Sequence, residues 1–124
     1  MTEVEFMSVI NMENFIDPRE TALVGREHAK AFRKALEEKG FGLEKLEKEP
    51  EEIEFVIPDH IITINKSYFL GVFADRVRSL GKTGFKSKYR FKTSSEHILN
   101  KIDGHIDNAL LQASPAQILN VGSF

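Results

Sequence analysis

TINKSYFLGVFADRV, residues 63–77, is the stretch whose reading decides the fold. The β-branched piece HIITIN, residues 60–65, ends in a Lys66-Ser67 pair. Immediately afterwards Leu70, Phe73, Val77 and Leu80 recur at steps of three and four, with Phe69 widening the stripe, until Gly81 stops it. A strand therefore runs straight into a helix. The start of such a helix leaves several backbone N–H groups unpaired and carries partial positive charge. Ser67 can cap one of those groups, and the same geometry exposes its hydroxyl at the carboxyl end of the sheet. Lys66 adds a full charge beside it, and Asn65 flanks it. A plain helix cap and an anion or phosphate receptor are both open readings of this junction.

Upstream, IEFVI, residues 53–57, is a near-continuous apolar run, the pattern of a strand covered on both faces, and Pro58-Asp59 turns the chain. Residues 3–10 read as a strand through Val4, Phe6 and Ile10. Asp17-Pro18 is a helix-start signal, and Ala22, Gly25, Ala29, Phe32 and Leu36 form the stripe of a helix over 18–39 that Gly40 ends. Residues 42–52 read as a charged loop with a short helical turn. Downstream, KYRFK, residues 88–92, alternates as a strand, and Thr93-Ser94-Ser95-Glu96 has the capping-box spacing before Ile98, Ile102, His105 or Ile106, and Ala109. Alternating strands and helices predict an α/β fold: a small mixed sheet of about four strands, packed by three main helices over 18–39, 68–80 and 95–111. Residues 1–112 form the domain and 113–124, with Pro115 and an apolar ILNV, a C-terminal tail. The expected core is Phe32, Leu36, Phe55, Ile57, Ile62, Ile64, Phe73, Val77, Ile98 and Ile102.

Length and composition bound the function. A chain of 124 residues with 41% apolar residues and ten Phe is one domain with a real core. With no Cys, disulfide frameworks, thiolate chemistry and Cys-held zinc are excluded, and a reducing, cytoplasmic setting is the expectation. No apolar run approaches the ~20 residues of a membrane span, and the acidic, alternating MTEVEFMS does not read as a signal peptide. The net charge of −2 conceals a layout of −7 over residues 1–60, +7 over 61–92 and −2 over 93–124. The basic middle either meets the acidic flanks or attracts an anionic partner. Gly81-Lys82-Thr83 looks like the end of a P-loop, but Arg76 stands where that pattern requires Gly, and the segment follows a helix. His28, His60, His97 and His105 show no metal spacing, and no nucleophile–base pairing is visible, so no cofactor and no catalytic residue is expected.

The succession IEFVIPDHIITINKSYFLGVFADRV, with its hydrophobic strand, the Ile64-to-Ser67 junction and the Phe73-Ala74-Asp75 step, resembles STAS-like domains, small proteins similar to the anti-sigma-factor antagonists. The likeness covers roughly residues 17–112, including Arg19, Arg26 and Ala29 upstream and the Ile-rich helix at the end. It implies a non-enzymatic regulatory module that binds a kinase-like ATPase, of the histidine-kinase type, or another regulatory protein, with Ser67 as the phosphorylation switch. Where the well-characterised members carry an acid before a Ser-Ser-Gly turn, this chain reads Asn65-Lys66-Ser67-Tyr68.

The competing reading is nucleic-acid binding. GKTGFKSKYRFK, residues 81–92, interleaves Lys82, Lys86, Lys88, Arg90 and Lys92 with Phe85, Tyr89 and Phe91. Basic groups could follow phosphates while an exposed aromatic stacks on a base. Strand alternation, however, sets Tyr89 and Phe91 on one face, the usual core face, and leaves Lys88, Arg90 and Lys92 to solvent.

Overall fold

The computed structural model describes residues 7–122, with side chains through residue 111. The apolar run at 53–57 behaves as its composition dictates: β3 (Glu52–Val56) is the middle strand of a three-stranded sheet, between β1 (Met7–Asn11) and β5 (Tyr89–Lys92). Both pairings are parallel, Ile10 lying opposite Phe55 and Phe55 opposite Phe91. Two further strands, β2 (Ala22–Leu23) and β4 (Thr63–Ile64), form a second parallel pair. The fold is thus α/β, but the expected mixed sheet of about four strands is replaced by two wholly parallel sheets of three and two strands. Two-residue strands leave too little periodicity for the sequence to announce them.

Among the described residues four helices cover these sheets: α1 (Arg26–Glu38), α2 (Leu43–Glu47), α3 (Lys66–Lys88) and α4 (Glu96–Gly122), with a 3-10 turn at Met12–Asn14. α1 begins at Arg26, eight residues after Pro18, because the chain uses its helix-start residues otherwise. The Asp17 carboxylate accepts from the Arg19 backbone N–H at 2.9 Å, a tight local turn, and Ala22-Leu23 is drawn into pairing with Thr63-Ile64. α3 breaks where expected, at Gly81, whose φ of 79° suits glycine and few other residues, then resumes to Lys88. α4 is capped by Ser95, whose hydroxyl accepts from the Ile98 amide at 3.2 Å, while Thr93 supports Ser95 instead of capping. Its backbone continues through Gly122, and the docking of the ILNV tail lies outside the described side chains, as do Val4 and Phe6 at the other end.

The core lies between the three-stranded sheet and α1, α3 and α4. Phe73 is its hub, with rings of Phe55 at 5.2 Å, Phe69 at 5.0 Å and Phe91 at 5.3 Å around it. Nine of the ten expected core residues are buried; Ile62 is the exception at 65% exposed. Its backbone N–H donates to Thr21 O at 2.7 Å, and the turn into the short β4 strand faces the side chain outward. α1 and α3 pack closely enough that a Cβ on Gly71 would stand 2.6 Å from the Ala29 Cβ. Arg33 clamps the pair, donating to Val72 O and Asp75 Oδ1, both at 2.8 Å. Among the described residues no helix is long and apolar enough to cross a membrane.

Candidate functional site

β2 and β4 lie side by side and parallel, so the helices that follow them start at the same end. Asn65 joins these two starts. Its Oδ1 accepts from the Tyr68 backbone N–H at 2.9 Å, capping α3, and from the Gly25 backbone N–H at 3.3 Å, at the N-cap of α1. No side chain caps α1 itself. Arg26 and Lys66, the first residues of the two helices, flank this joint and are exposed. The cap role considered for Ser67 therefore belongs to Asn65. Ser67 stands in the first turn of α3, half-buried, and among the described residues its hydroxyl makes no hydrogen bond. Asn ranks with Ser as a helix N-cap, and Asn65 directly follows the β-branched run, so the signal was present in the sequence.

From the joint a groove of about 300 Å³ runs between α1 and α3, lined by Arg26, Lys30, Arg33, Gly71, Asp75 and Arg78. Arg33 is held by Asp75, and Arg78 donates to Ala109 O at 3.1 Å. Arg26 and Lys30 keep their exposure, so the end of the groove nearest the joint is electropositive. Sequence reasoning named Arg26 and Asp75 but not the groove, which needs the close approach of Gly71 and Ala29, forty-two residues apart in the chain.

The basic segment 81–92 is not one surface. Lys82 pairs with Asp107 at 2.9 Å, Lys86 with Asp103 at 3.0 Å and Arg90 with Glu52 at 2.7 Å, while Lys88 donates to Glu49 O. Lys92 is exposed. Phe85 and Tyr89 are buried, their rings stacked at 4.4 Å, and Phe91 packs against the core. The acids of α4 and Glu52 of β3, with the backbone carbonyl of Glu49, take up most of the basic block, the compensation that the charge layout allowed.

Three buried side chains, Arg76, Tyr89 and His105, make polar contacts that serve the architecture. Arg76 donates to Glu47 at 3.1 Å, and Tyr89 donates its hydroxyl to the same carboxylate, tying α2, α3 and β5 together. Burial and that carboxylate push the Tyr89 phenol well above its ordinary range. His105 is buried on α4 with Nε2 at 2.8 Å from Ile64 O, which it reaches as a donor. Burial holds its pKa below the usual histidine value. His97, eight residues earlier on the same helix, is exposed. Among the described residues no three His, Asp or Glu side chains gather where they could hold a metal ion. No family model matches the chain, and no curated protein and no solved structure matches it either.

Proposed function

We propose that this protein is a non-enzymatic regulatory module that binds a protein partner through the joint of α1 and α3, with Ser67 as the residue whose modification alters binding. The observation that carries the reading is the Asn65 oxygen, which caps α3 and also holds the Gly25 amide at the start of α1, and so brings two helix N-termini, Lys66, Arg26 and the unbonded Ser67 hydroxyl to one place. A phosphate on Ser67 would lie in the first turn of α3 beside Lys66 and near the uncapped start of α1, where negative charge is favoured. The resemblance to STAS-like domains supports a kinase-like ATPase of the histidine-kinase type as the partner, in the cytoplasm. Joints of this kind, at the carboxyl ends of parallel strands, are common binding places in α/β folds.

Affinity capture from the native host, followed by mass spectrometry, identifies the partner. The decisive measurement is then the affinity of Ser67→Asp for that partner. Because Asn65 does the capping, Ser67→Asp is expected to melt with the wild type yet bind differently. A well-folded Ser67→Asp with wild-type affinity removes the switch. Nucleic-acid binding is the weaker alternative, because the cations of 81–92 are largely paired and its aromatics face the core. A salt titration against random single-stranded DNA tests it: the alternative requires binding at low salt with a steep salt slope.

A further inference from the structure

Beside the joint, a second cavity of about 260 Å³ opens between the 3-10 turn, α1 and the start of α3. Its walls divide by chemistry. Phe15, Ile16 and Phe32 make an apolar side, the two Phe rings meeting edge to face at 5.9 Å. Asp17, Glu20, His28 and Tyr68 bring the polar groups. Asp17 is already satisfied, since Arg19 donates to both of its oxygens, at 3.2 and 3.0 Å. The other three are not.

Tyr68 is only 1% exposed, yet its hydroxyl has no hydrogen-bond partner. That is an unusual state for a buried phenol in a cavity wall. Glu20, 28% exposed at its side chain, accepts no hydrogen bond among the described residues, and its nearest cationic neighbour, His28 Nδ1, is 4.0 Å away. His28 Nδ1 stands 3.0 Å from Val24 O, a contact that requires the proton on Nδ1 and leaves Nε2 as an acceptor in the neutral ring. Burial, and next the Glu20 charge, push the Tyr68 phenol well above its ordinary range, so it stays protonated and neutral.

We propose that this cavity binds a small primary ammonium, R–NH3⁺, with its charge against Glu20 and its short apolar chain against Phe15 and Phe32. The complementarity is one of count and sign. The ammonium has three N–H donors and no acceptor, and the residues lining the cavity carry three acceptors without a donor: the Glu20 carboxylate, the buried Tyr68 oxygen in the wall and, in the neutral ring, His28 Nε2. The cavity's net charge is negative while His28 is neutral, because Arg19 pairs with Asp17 and, among the described residues, Glu20 has only His28 beside it, at 4.0 Å. A carboxylate or phosphate ligand would face Glu20 with no free cation lining the cavity. The aromatic side favours the alkyl chain, and a ring face, not its edge, is where a cation is accepted. The volume falls just below the ~300–1,000 Å³ of drug-sized pockets, which selects a small ligand. This inference does not depend on the regulatory reading of Ser67.

The test is titration calorimetry of the full chain with n-butylammonium chloride, against n-butanol and sodium butyrate at matched ionic strength. Saturable binding of butylammonium alone is expected. Tyr68→Phe should fold as well as the wild type, since the lost hydroxyl had no partner, and should bind about tenfold more weakly or worse. Glu20→Gln should lose at least as much. Should Tyr68→Phe fail to fold, Glu20→Gln, at a partly exposed side chain, decides the matter alone. Butyrate binding as tightly as butylammonium, no saturable binding of butylammonium, or wild-type affinity in folded Glu20→Gln would each overturn the proposal.

Discussion

The single oxygen of Asn65 that serves two backbone donors makes this residue worth more than an ordinary cap. Asn65→Ala is expected to cost about 1–2 kcal/mol, the upper part of the range for a lost N-cap. Ser67→Ala, two residues on, should cost under about 0.5 kcal/mol, as an unbonded half-buried hydroxyl does. Urea melts of the two variants check the contrast, and equal losses would return the cap to Ser67. His105 makes a prediction about pH. Its folded pKa lies below the unfolded value, near 6.5, because burial disfavours the charged ring. As pH falls below about 6.5 the unfolded chain takes up the proton first, so stability is lost from there down through the folded pKa. Melting curves from pH 7.5 to 5 should show a steeper fall for the wild type than for His105→Gln.

At the scale of the element, the contact of α1 with α3 is set by two small residues. A methyl group on Gly71 would meet the Ala29 Cβ at 2.6 Å, closer than real Cβ atoms approach. Gly71→Ala should therefore destabilise by about 1–3 kcal/mol through overpacking, despite the better helix propensity of Ala. The second substitution Ala29→Gly should restore part of the loss. A double-mutant cycle measures the coupling, and purely additive losses would mean that the helices do not touch there. The break in α3 is a related case. Gly81 was legible as a stop from its place after the apolar stripe, but the resumption of helix to Lys88 was not. That second half is held by Phe85 packing on Tyr89 and by the Lys86–Asp103 pair, both contacts with residues outside it.

At the scale of the whole molecule, Phe73 and Ile62 mark the two limits of a residue's contribution. Phe73→Ala removes the hub of the ring cluster and is expected to cost about 3–5 kcal/mol, as transfer energy and cavity add. Ile62→Ala, on an exposed side chain, should cost less than about 0.5 kcal/mol. Denaturant melts of the pair test where the core ends. A large loss at Ile62 would show that its face is covered in solution.

The sequence by itself determined the α/β class, the buried strand at 53–57, the stripe of α3 and its stop at Gly81, and nine of the ten core residues named. Each is a local signal: an apolar run, a period near 3.6, or a glycine at the end of a stripe, and local periodicity survives whatever packs against it. The tertiary structure alone decided what the helix-start residues do. Asp17-Pro18 lost its helix because Ala22-Leu23 found a strand partner forty-one residues away, and Ser67 lost the cap because Asn65 could serve two helices at once. It also decided that the basic block would face the acids of α4 and Glu52 of β3, which no count of charges along the chain could distinguish from an open basic surface. The reason is common to all three. Each backbone donor, carboxylate or strand edge has several acceptable partners nearby in sequence, and burial of the Phe73 cluster selects the one arrangement that satisfies them together.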